Sequence, residues 1–221
     1  LNCVKHCEKS YCVTFDFEHT KTMRSVLLIT ILSFLATPCF AIPKDLKQYL
    51  KSRWKLSFTE EKYLDQGKIL TDANVTDQMG IQSFDMQATA WHEKKCRKVI
   101  RKLSQFELYP SWISFIKKLR YNDDTNLMTM LADHPLLPFP MIVNIVVERP
   151  KKQGHYEFRF PTGMFKGLTG YFDVKQYNDR CHLYVESHWA GKKTKIPNLV
   201  IEVFSETLAR IGGEILMRKS R

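Results

Sequence analysis

The sequence IPNLVIEVFSETLARIGGEIL, residues 196–216, predicts a long amphipathic helix around which the rest of the chain is organised. Residues suited to a buried helical face recur there at steps of three and four: Val200, Val203, Phe204, Thr207, Leu208, Ile211 and Ile215. Pro197 suits a first helical turn, where its missing N–H is not needed. Gly212 and Gly213 each cost about 1 kcal/mol relative to alanine inside a helix. Either the helix frays there, or it lies very close to another surface.

The preceding residues predict the sheet on which this helix packs. Apolar and polar side chains alternate with period two in six segments bounded by turn residues: 84–90, 127–132, 141–148, 155–160, 167–176 and 181–189. Between the first two segments, residues 94–119 have helical spacing interrupted by Tyr109-Pro110, which predicts two short helices. Because the later connections are short, a meander of adjacent antiparallel strands is the expected topology.

The alternation also assigns the two faces of the sheet. The inner face is predicted to carry Val143, Ile145, Val147, Tyr156, Phe158, Phe160, Leu168, Gly170, Phe172, Val174, Leu183, Val185 and Trp189. The outer, solvated face is predicted to carry Glu157, Arg159, Asp173, Lys175, His182, Tyr184, Glu186 and His188. The C-terminal helix is then the element available to cover the inner face.

The N-terminal region predicts export. Residues 23–41 read as a secretory signal peptide: basic residues precede an apolar run at 26–36 that is too short to span a membrane, and Ala41 ends a suitable cleavage site. Residues 1–22 are then an over-extended start. The protein is expected in the periplasm of a Gram-negative bacterium, or otherwise secreted. Residues 42–82 form a basic lead-in with a short strand, and residues 83–221 form the main domain. Cys96 and Cys181 either pair or remain separate buried thiols.

Composition and net charge limit the classes of function that the sequence supports. The 221 residues are 44% hydrophobic and 26% charged, as in an ordinary globular protein, and the net charge of +11 indicates an anionic partner. The export signal and the inward-facing aromatics argue against nucleic acid. The histidines lack the close spacing of a metal site, and no nucleophile motif accompanies them. We therefore predict no metal, no cofactor and no catalytic residue.

Two segments resemble a known family. Residues 103–113, LSQFELYPSWI, and residues 195–208, KIPNLVIEVFSETL, resemble the START-like (SRPBCC) superfamily, in particular its branch of polyketide cyclases/dehydrases and coenzyme Q-binding proteins. The resemblance covers residues 83–221 and implies an α+β helix-grip fold. In that fold a curved antiparallel sheet wraps around a long C-terminal helix, and two short helices follow the first strand. The family commonly holds an apolar ligand between the sheet and the last helix.

The inner-face assignment and this resemblance together give a predicted ligand site. Its residues are Val143, Ile145, Tyr156, Phe158, Phe160, Met164, Phe165, Phe172, Leu183, Val185, Val200, Phe204, Leu208 and Ile211. The expected ligand is a lipid, a quinone or a polyketide-like molecule, bound by a monomeric carrier or sensor. The alternative is a cyclase- or dehydrase-like enzyme that uses the same cavity.

A membrane-contacting edge is a further prediction. Alternate loops of a meander lie at the same end of the sheet, and three of them carry apolar tips beside lysines: Leu137, Phe139, Phe165, Lys166, Lys192, Lys193 and Lys195. Such an end fits an anionic membrane surface. Alternatively, the apolar residues plug the end of the sheet and the lysines are solvated.

Overall fold

The computed structural model describes residues 4–6, 9–11, 57–135 and 139–221, and the chain divides into two compact units, residues 1–41 and 42–221. In the first unit, β1 (Val4–His6) and β2 (Lys9–Tyr11) form an antiparallel hairpin. The predicted signal peptide and residues 42–56 of the lead-in lie outside the described residues.

The second unit contains an eight-stranded antiparallel sheet and a long C-terminal helix, which confirms the predicted fold class. The strands are β3 (Ile69–Gln78), β4 (Ile81–His92), β5 (Ile116–Asn122), β6 (Leu127–Ala132), β7 (Met141–Val147), β8 (Gly154–Arg159), β9 (Thr169–Tyr177) and β10 (Arg180–Lys192). The helices of this described part are α1 (Phe58–Asp65), α2 (Cys96–Leu103), α3 (Tyr109–Trp112) and α4 (Asn198–Lys219). A single 3-10 turn (Phe106–Leu108) joins α2 to α3.

The strand order is β3-β4-β10-β9-β8-β7-β6-β5. Strands β6 to β10 therefore form the predicted meander, β5 extends it beyond β6, and β4 adds to it by pairing with β10. Residues 69–78, which the sequence analysis placed in the lead-in, pair with β4 from Ile69↔Ala90 to Gln78↔Ile81. The sheet thus begins at residue 69, ahead of the predicted boundary at residue 83.

The helical prediction for residues 116–119 is wrong, because these residues begin β5. The apolar residues Ile113, Ile116 and Leu119 fit a helical period, and local spacing alone does not separate this from a short strand. The segment pairs with β6, from Ile116↔Ala132 to Asn122↔Leu127, and β6 supplies hydrogen-bond partners for its backbone. The tertiary pairing therefore decides its conformation.

Helix α4 runs along β3 and turns an unexpected face towards the sheet. Glu202 Oε1 accepts a hydrogen bond from the Val75 N–H at 2.7 Å, and Glu206 Oε1 accepts one from the Ala73 N–H at 2.9 Å. Because β3 is an edge strand, these N–H groups have no strand partner, and carboxylate acceptors are strong ones. Glu202 and Glu206, which are not among the residues of the predicted buried face, therefore cap the edge of the sheet.

The predicted buried face of α4 is consequently wrong in part. Val200 is 47% exposed, Val203 is 56% exposed and Ile211 is 37% exposed, whereas Ile201 and Gly212 are buried. The helix continues without a break through the glycine pair. A Cβ atom at Gly213 would lie 2.5 Å from Ile69 Cδ1, so this glycine allows a close approach to β3.

Cys96 and Cys181 form a disulfide, which settles the alternative left open by the sequence. Both residues are fully buried. Cys96 is the first residue of α2, and Cys181 lies near the start of β10. The bond therefore joins the first residue of α2 to β10, an interior strand of the sheet.

The outer face of the sheet is not uniformly solvated. His182 and Tyr184, both predicted to be solvated, are 1% and 0% exposed. The His182 ring lies 6.3 Å from Trp91 and 6.1 Å from Tyr177, and its Nε2 is 2.8 Å from Thr89 Oγ1. Alternation fixes the side of a strand on which a residue lies, but it does not show what packs on that side.

We expect the free energy of unfolding to fall as the pH drops below 6.5. Burial lowers the pKa of His182 to about 3 and also lowers the pKa of His92. In the unfolded chain both histidines bind a proton near pH 6.5, so between pH 6.5 and about 3 the unfolded state binds more protons than the folded state. Each histidine then costs up to about 1.4 kcal/mol per pH unit.

Urea unfolding between pH 7.5 and pH 5 measures this effect. The pH dependence should be shallower in His182→Gln than in the wild type. His188→Gln is the matched control, because His188 lies on the same strand but is exposed and paired with Asp85. A His182→Gln variant with an unchanged slope would contradict the assignment.

Candidate functional site

A cavity of about 480 Å³ lies between the inner face of the sheet, the segment from α2 to α3, and α4. Its volume is within the usual range for small-molecule sites. Seven of the predicted ligand-site residues line it: Ile145, Phe158, Phe160, Phe172, Leu183, Val185 and Leu208. The five from strands β7 to β10, together with the adjacent Phe160, follow the predicted inward alternation. The structure thus brings half of the predicted set together.

The other half does not line the cavity: Val143, Tyr156, Met164, Phe165, Val200, Phe204 and Ile211. Tyr156 is buried but stacks on Phe172 with ring centroids 5.0 Å apart, and its hydroxyl donates to the Lys152 carbonyl. Phe165 packs edge-to-face on Trp189 with centroids 5.5 Å apart. Val200 and Ile211 are exposed because α4 presents a different face to the sheet.

Sequence reasoning missed most of the remaining cavity wall. Its other residues are Ile69, Met86, Ala88, Thr89, Ala90, Ile100, Leu103, Phe106, Tyr109, Ile113, Ile116, Met128, Met130, Val147, Pro150, Asp173, Val174, Ala209, Gly212, Gly213, Leu216 and Met217. The available signal was the apolar spacing of residues 99–116, which predicts that these helices bury one face, and the glycine pair in α4. Both features indicate contact with a surface, but neither identifies that surface as a cavity.

Gly170 shapes the inner wall at β9. A Cβ atom at this position would lie 2.6 Å from Phe158 Cζ. The missing side chain therefore leaves room for the Phe158 ring to lie across β9. In this position the ring contributes to the cavity wall.

The polar groups of the cavity wall are already engaged. The Tyr109 hydroxyl donates to the Leu103 carbonyl, and burial raises the pKa of Tyr109 above its usual range. Thr89 Oγ1 lies 2.8 Å from His182 Nε2, and Asp173 Oδ1 lies 2.8 Å from His155 Nδ1. Each of these side chains thus has a hydrogen-bond partner within the protein.

Arg149 closes the wall at the end of β7. Its guanidinium donates to Glu107 Oε1 at 2.6 Å, to Asp123 Oδ1 at 3.0 Å and to the Ser104 carbonyl at 2.6 Å. It also lies 4.5 Å above the Tyr121 ring. These bonds fix the segment between α2 and α3 over the cavity, so this wall is held by a polar network outside the site.

The predicted membrane-contacting loops lie at one end of the sheet, as the pairs Lys192↔Ile81, His188↔Thr169 and Ala132↔Met141 show. Of their residues, Phe139 is 51% exposed, and Lys166, Lys192 and Lys195 are also exposed. Lys193 forms an ion pair with Asp77. Phe165 faces the core, as the plugging alternative requires, and Leu137 lies outside the described residues.

The described residues contain neither a metal-binding cluster nor a membrane-spanning helix. No group of three or more His, Cys, Asp or Glu residues in the described ranges is arranged to hold a metal ion. Among the same residues, no helix is both long enough and apolar enough to cross a bilayer.

Comparisons with known proteins agree on the fold. The chain matches no family model and no curated protein. It is similar to the solved structure of a conserved protein from Geobacillus kaustophilus, with 14% identity over 62% of this chain and 94% of the other, and a TM-score of 0.52. A START superfamily protein from Mycobacterium smegmatis is similar over 62% of this chain and 96% of its own length, with 15% identity and a TM-score of 0.50.

The Zhui aromatase/cyclase from a Streptomyces species is similar at 8% identity, over 62% of this chain and 91% of its own length, with a TM-score of 0.50. At such low identities the likeness concerns the fold alone. Together with the eight-stranded antiparallel sheet and α4, these matches confirm the helix-grip fold that the resemblance of residues 103–113 and 195–208 implied. The chain has the START-like (SRPBCC) helix-grip fold.

Proposed function

We propose that the protein binds a hydrophobic molecule in this cavity and acts as a carrier or sensor. The observation that carries the proposal is a hollow of about 480 Å³ whose wall is almost entirely apolar. Transfer of apolar surface from water into such a hollow is favourable by about 25 cal/mol per Å². A molecule that fills the hollow therefore gains most of its affinity from burial.

The chemistry of the wall favours a hydrocarbon chain over a hydroxylated ring system. A buried ligand hydroxyl without a partner costs roughly 1–3 kcal/mol, and the polar side chains of the wall are engaged with other protein groups. An acyl or isoprenoid chain has no such cost. We therefore place a lipid or the tail of a quinone ahead of a polyketide.

A catalytic function is the less favoured alternative. A cyclase or dehydratase needs a proton-transfer group within hydrogen-bond reach of its substrate. Tyr109 is a titratable residue of the cavity wall and thus a candidate for this role. However, its hydroxyl donates a hydrogen bond to the Leu103 carbonyl, and burial raises its pKa. The wall is better suited to holding a ligand than to converting it.

We also propose that the protein is exported and processed after Ala41. The signal-like residues 23–41 motivate this proposal, and the disulfide between Cys96 and Cys181 supports it, because such bonds persist in oxidising compartments. N-terminal sequencing of protein recovered from the secreted or periplasmic fraction should begin at Ile42. Protein retained in the cytoplasm with residues 23–41 intact would contradict it.

Two measurements test ligand binding. Protein expressed from the full sequence and purified without detergent should carry an apolar adduct in native mass spectrometry. After the adduct is extracted, the fluorescent fatty acid cis-parinaric acid should bind saturably at about one molecule per chain, as expected for one site of this size. Absence of saturable binding after extraction would overturn the proposal.

A further inference from the structure

Helix α4 carries an exposed apolar surface that the fold does not use. Leu199 is 68% exposed, Val200 47%, Val203 56% and Ile211 37%. We call these four residues the α4 ridge. In a monomeric soluble protein a long helix usually buries its apolar stripe, but here Glu202, Glu206 and the glycine pair take the side that faces β3. The ridge is therefore left for contact outside this fold.

A second exposed apolar group lies in the turn between β3 and β4. Met79 is fully exposed, with φ 52°, and Ile81 is 55% exposed. Left-handed turn positions favour glycine or asparagine, and a methionine there is strained. An apolar side chain that is strained and fully exposed contributes nothing evident to folding. Met79 is therefore available for a contact outside the fold.

The turn and the beginning of α4 are joined in one rigid unit. The Gln82 side chain is fully buried, and its Nε2 donates to Asn198 Oδ1 at 2.7 Å. Its Oε1 accepts hydrogen bonds from the Thr194 amide and hydroxyl. The Lys193 N–H donates to the Gly80 carbonyl at 3.0 Å. The two apolar groups are thus presented in a fixed arrangement before any partner binds.

Positive charge lies between these two apolar groups. Lys192, Lys193 and Lys195 are exposed on the connection from β10 to α4. The nearby acid Asp77 is paired with Lys193. The first turn of α4 contains no acidic residue, so the positive end of the helix dipole adds to the lysines.

We propose that the α4 ridge and the β3–β4 turn dock on an anionic lipid membrane, which rests on the proposed function because a lipid bilayer is the source or destination of an apolar ligand. Apolar side chains beside lysines match the boundary between acyl chains and anionic headgroups. A contact between two copies fits less well. A two-fold interface that buried this surface would bring the lysines of both copies into one contact, where their charges repel.

Flotation with lipid vesicles tests the docking surface. Protein expressed from the full sequence and processed after Ala41 should float with an equal mixture of phosphatidylcholine and phosphatidylglycerol, and much less with phosphatidylcholine alone. The variant Met79→Asn/Leu199→Gln/Val203→Gln should lose about tenfold or more of its partitioning to the mixed vesicles, because it removes three exposed apolar side chains. Asparagine suits the turn, and glutamine suits an exposed helical position, so the fold should be retained.

The matched control is Tyr63→Gln/Leu108→Gln. Both residues are 42% exposed and lie near the opposite end of the sheet, Tyr63 close to Lys68 before β3 and Leu108 beside the Glu107–Arg149 pair. The control should partition like the wild type. Equal partitioning of the ridge variant would overturn the docking proposal, as would a dimer in the wild type that the ridge variant abolishes.

Binding of cis-parinaric acid without vesicles separates this proposal from the proposed function. The ridge variant should bind the probe like the wild type, because none of its substituted residues lines the cavity. If the wild type binds vesicles through the ridge but does not bind the probe, the cavity function fails and the docking surface stands. If the probe binds but the ridge variant still floats, the docking proposal fails alone.

Discussion

We expect Leu208→Trp to weaken the binding of cis-parinaric acid by about tenfold or more, which corresponds to a loss of at least about 1.4 kcal/mol of binding free energy. Leu208 projects from α4 into the cavity wall and is only half-buried because it borders an empty space. The indole would occupy volume that the ligand needs. Since the larger side chain enters a void, stability should change much less than in an overpacked core.

A second variant and a control make the result specific. Val185→Phe places a larger side chain on β10, in the sheet wall of the cavity. It should weaken binding in the same way if the cavity is the site. Ile142→Trp introduces the same aromatic side chain on β7, where the residue is 66% exposed and does not line the cavity, and should bind the probe normally. Unimpaired binding by both cavity variants, with their folds intact, would place the ligand elsewhere.

Strands β4 and β6 to β10 could be predicted closely, because each has one buried face. The predicted segment 127–132 coincides with β6, and the other strand predictions fall within a few residues of the observed bounds. The pairing of β4 with β10 was beyond reach, because it joins residues about a hundred positions apart and leaves no trace in local periodicity. The same limit explains β5, whose helical spacing is overridden by its pairing with β6.

The site was predictable where alternation on a strand determines it, and unpredictable on the helix. Phe158, Phe172 and Val185 follow from period two. The apolar residues of α4 do not predict which face of the helix packs on the sheet. Glu202 and Glu206 accept hydrogen bonds from the edge of β3, and this leaves several of the apolar residues on the outer side of the helix. A hydrophobicity count ignores the hydrogen-bonding needs of an edge strand.

Removal of the disulfide should produce the largest change in stability. The bond joins residues 85 positions apart, so it removes much of the freedom of the unfolded chain. For a loop of this length the chain-entropy model gives about 4–5 kcal/mol, and measured losses for native disulfides are about 2–5 kcal/mol. We therefore expect Cys96→Ala/Cys181→Ala to lower the free energy of unfolding by about 2–5 kcal/mol. Alanine is chosen because Val99, Ile100 and Val174 surround the pair with apolar groups.

Reductant supplies the internal control for this prediction. Dithiothreitol should lower the urea midpoint of the wild type towards that of the double-alanine variant and leave the variant unchanged. An unchanged wild-type midpoint after complete reduction would contradict a stabilising role. Ligand binding should respond as well, because α2 begins at Cys96 and carries Ile100 and Leu103 into the cavity wall. Without the bond, α2 is held mainly by apolar packing, so the reduced protein should release cis-parinaric acid faster even under conditions in which it remains folded.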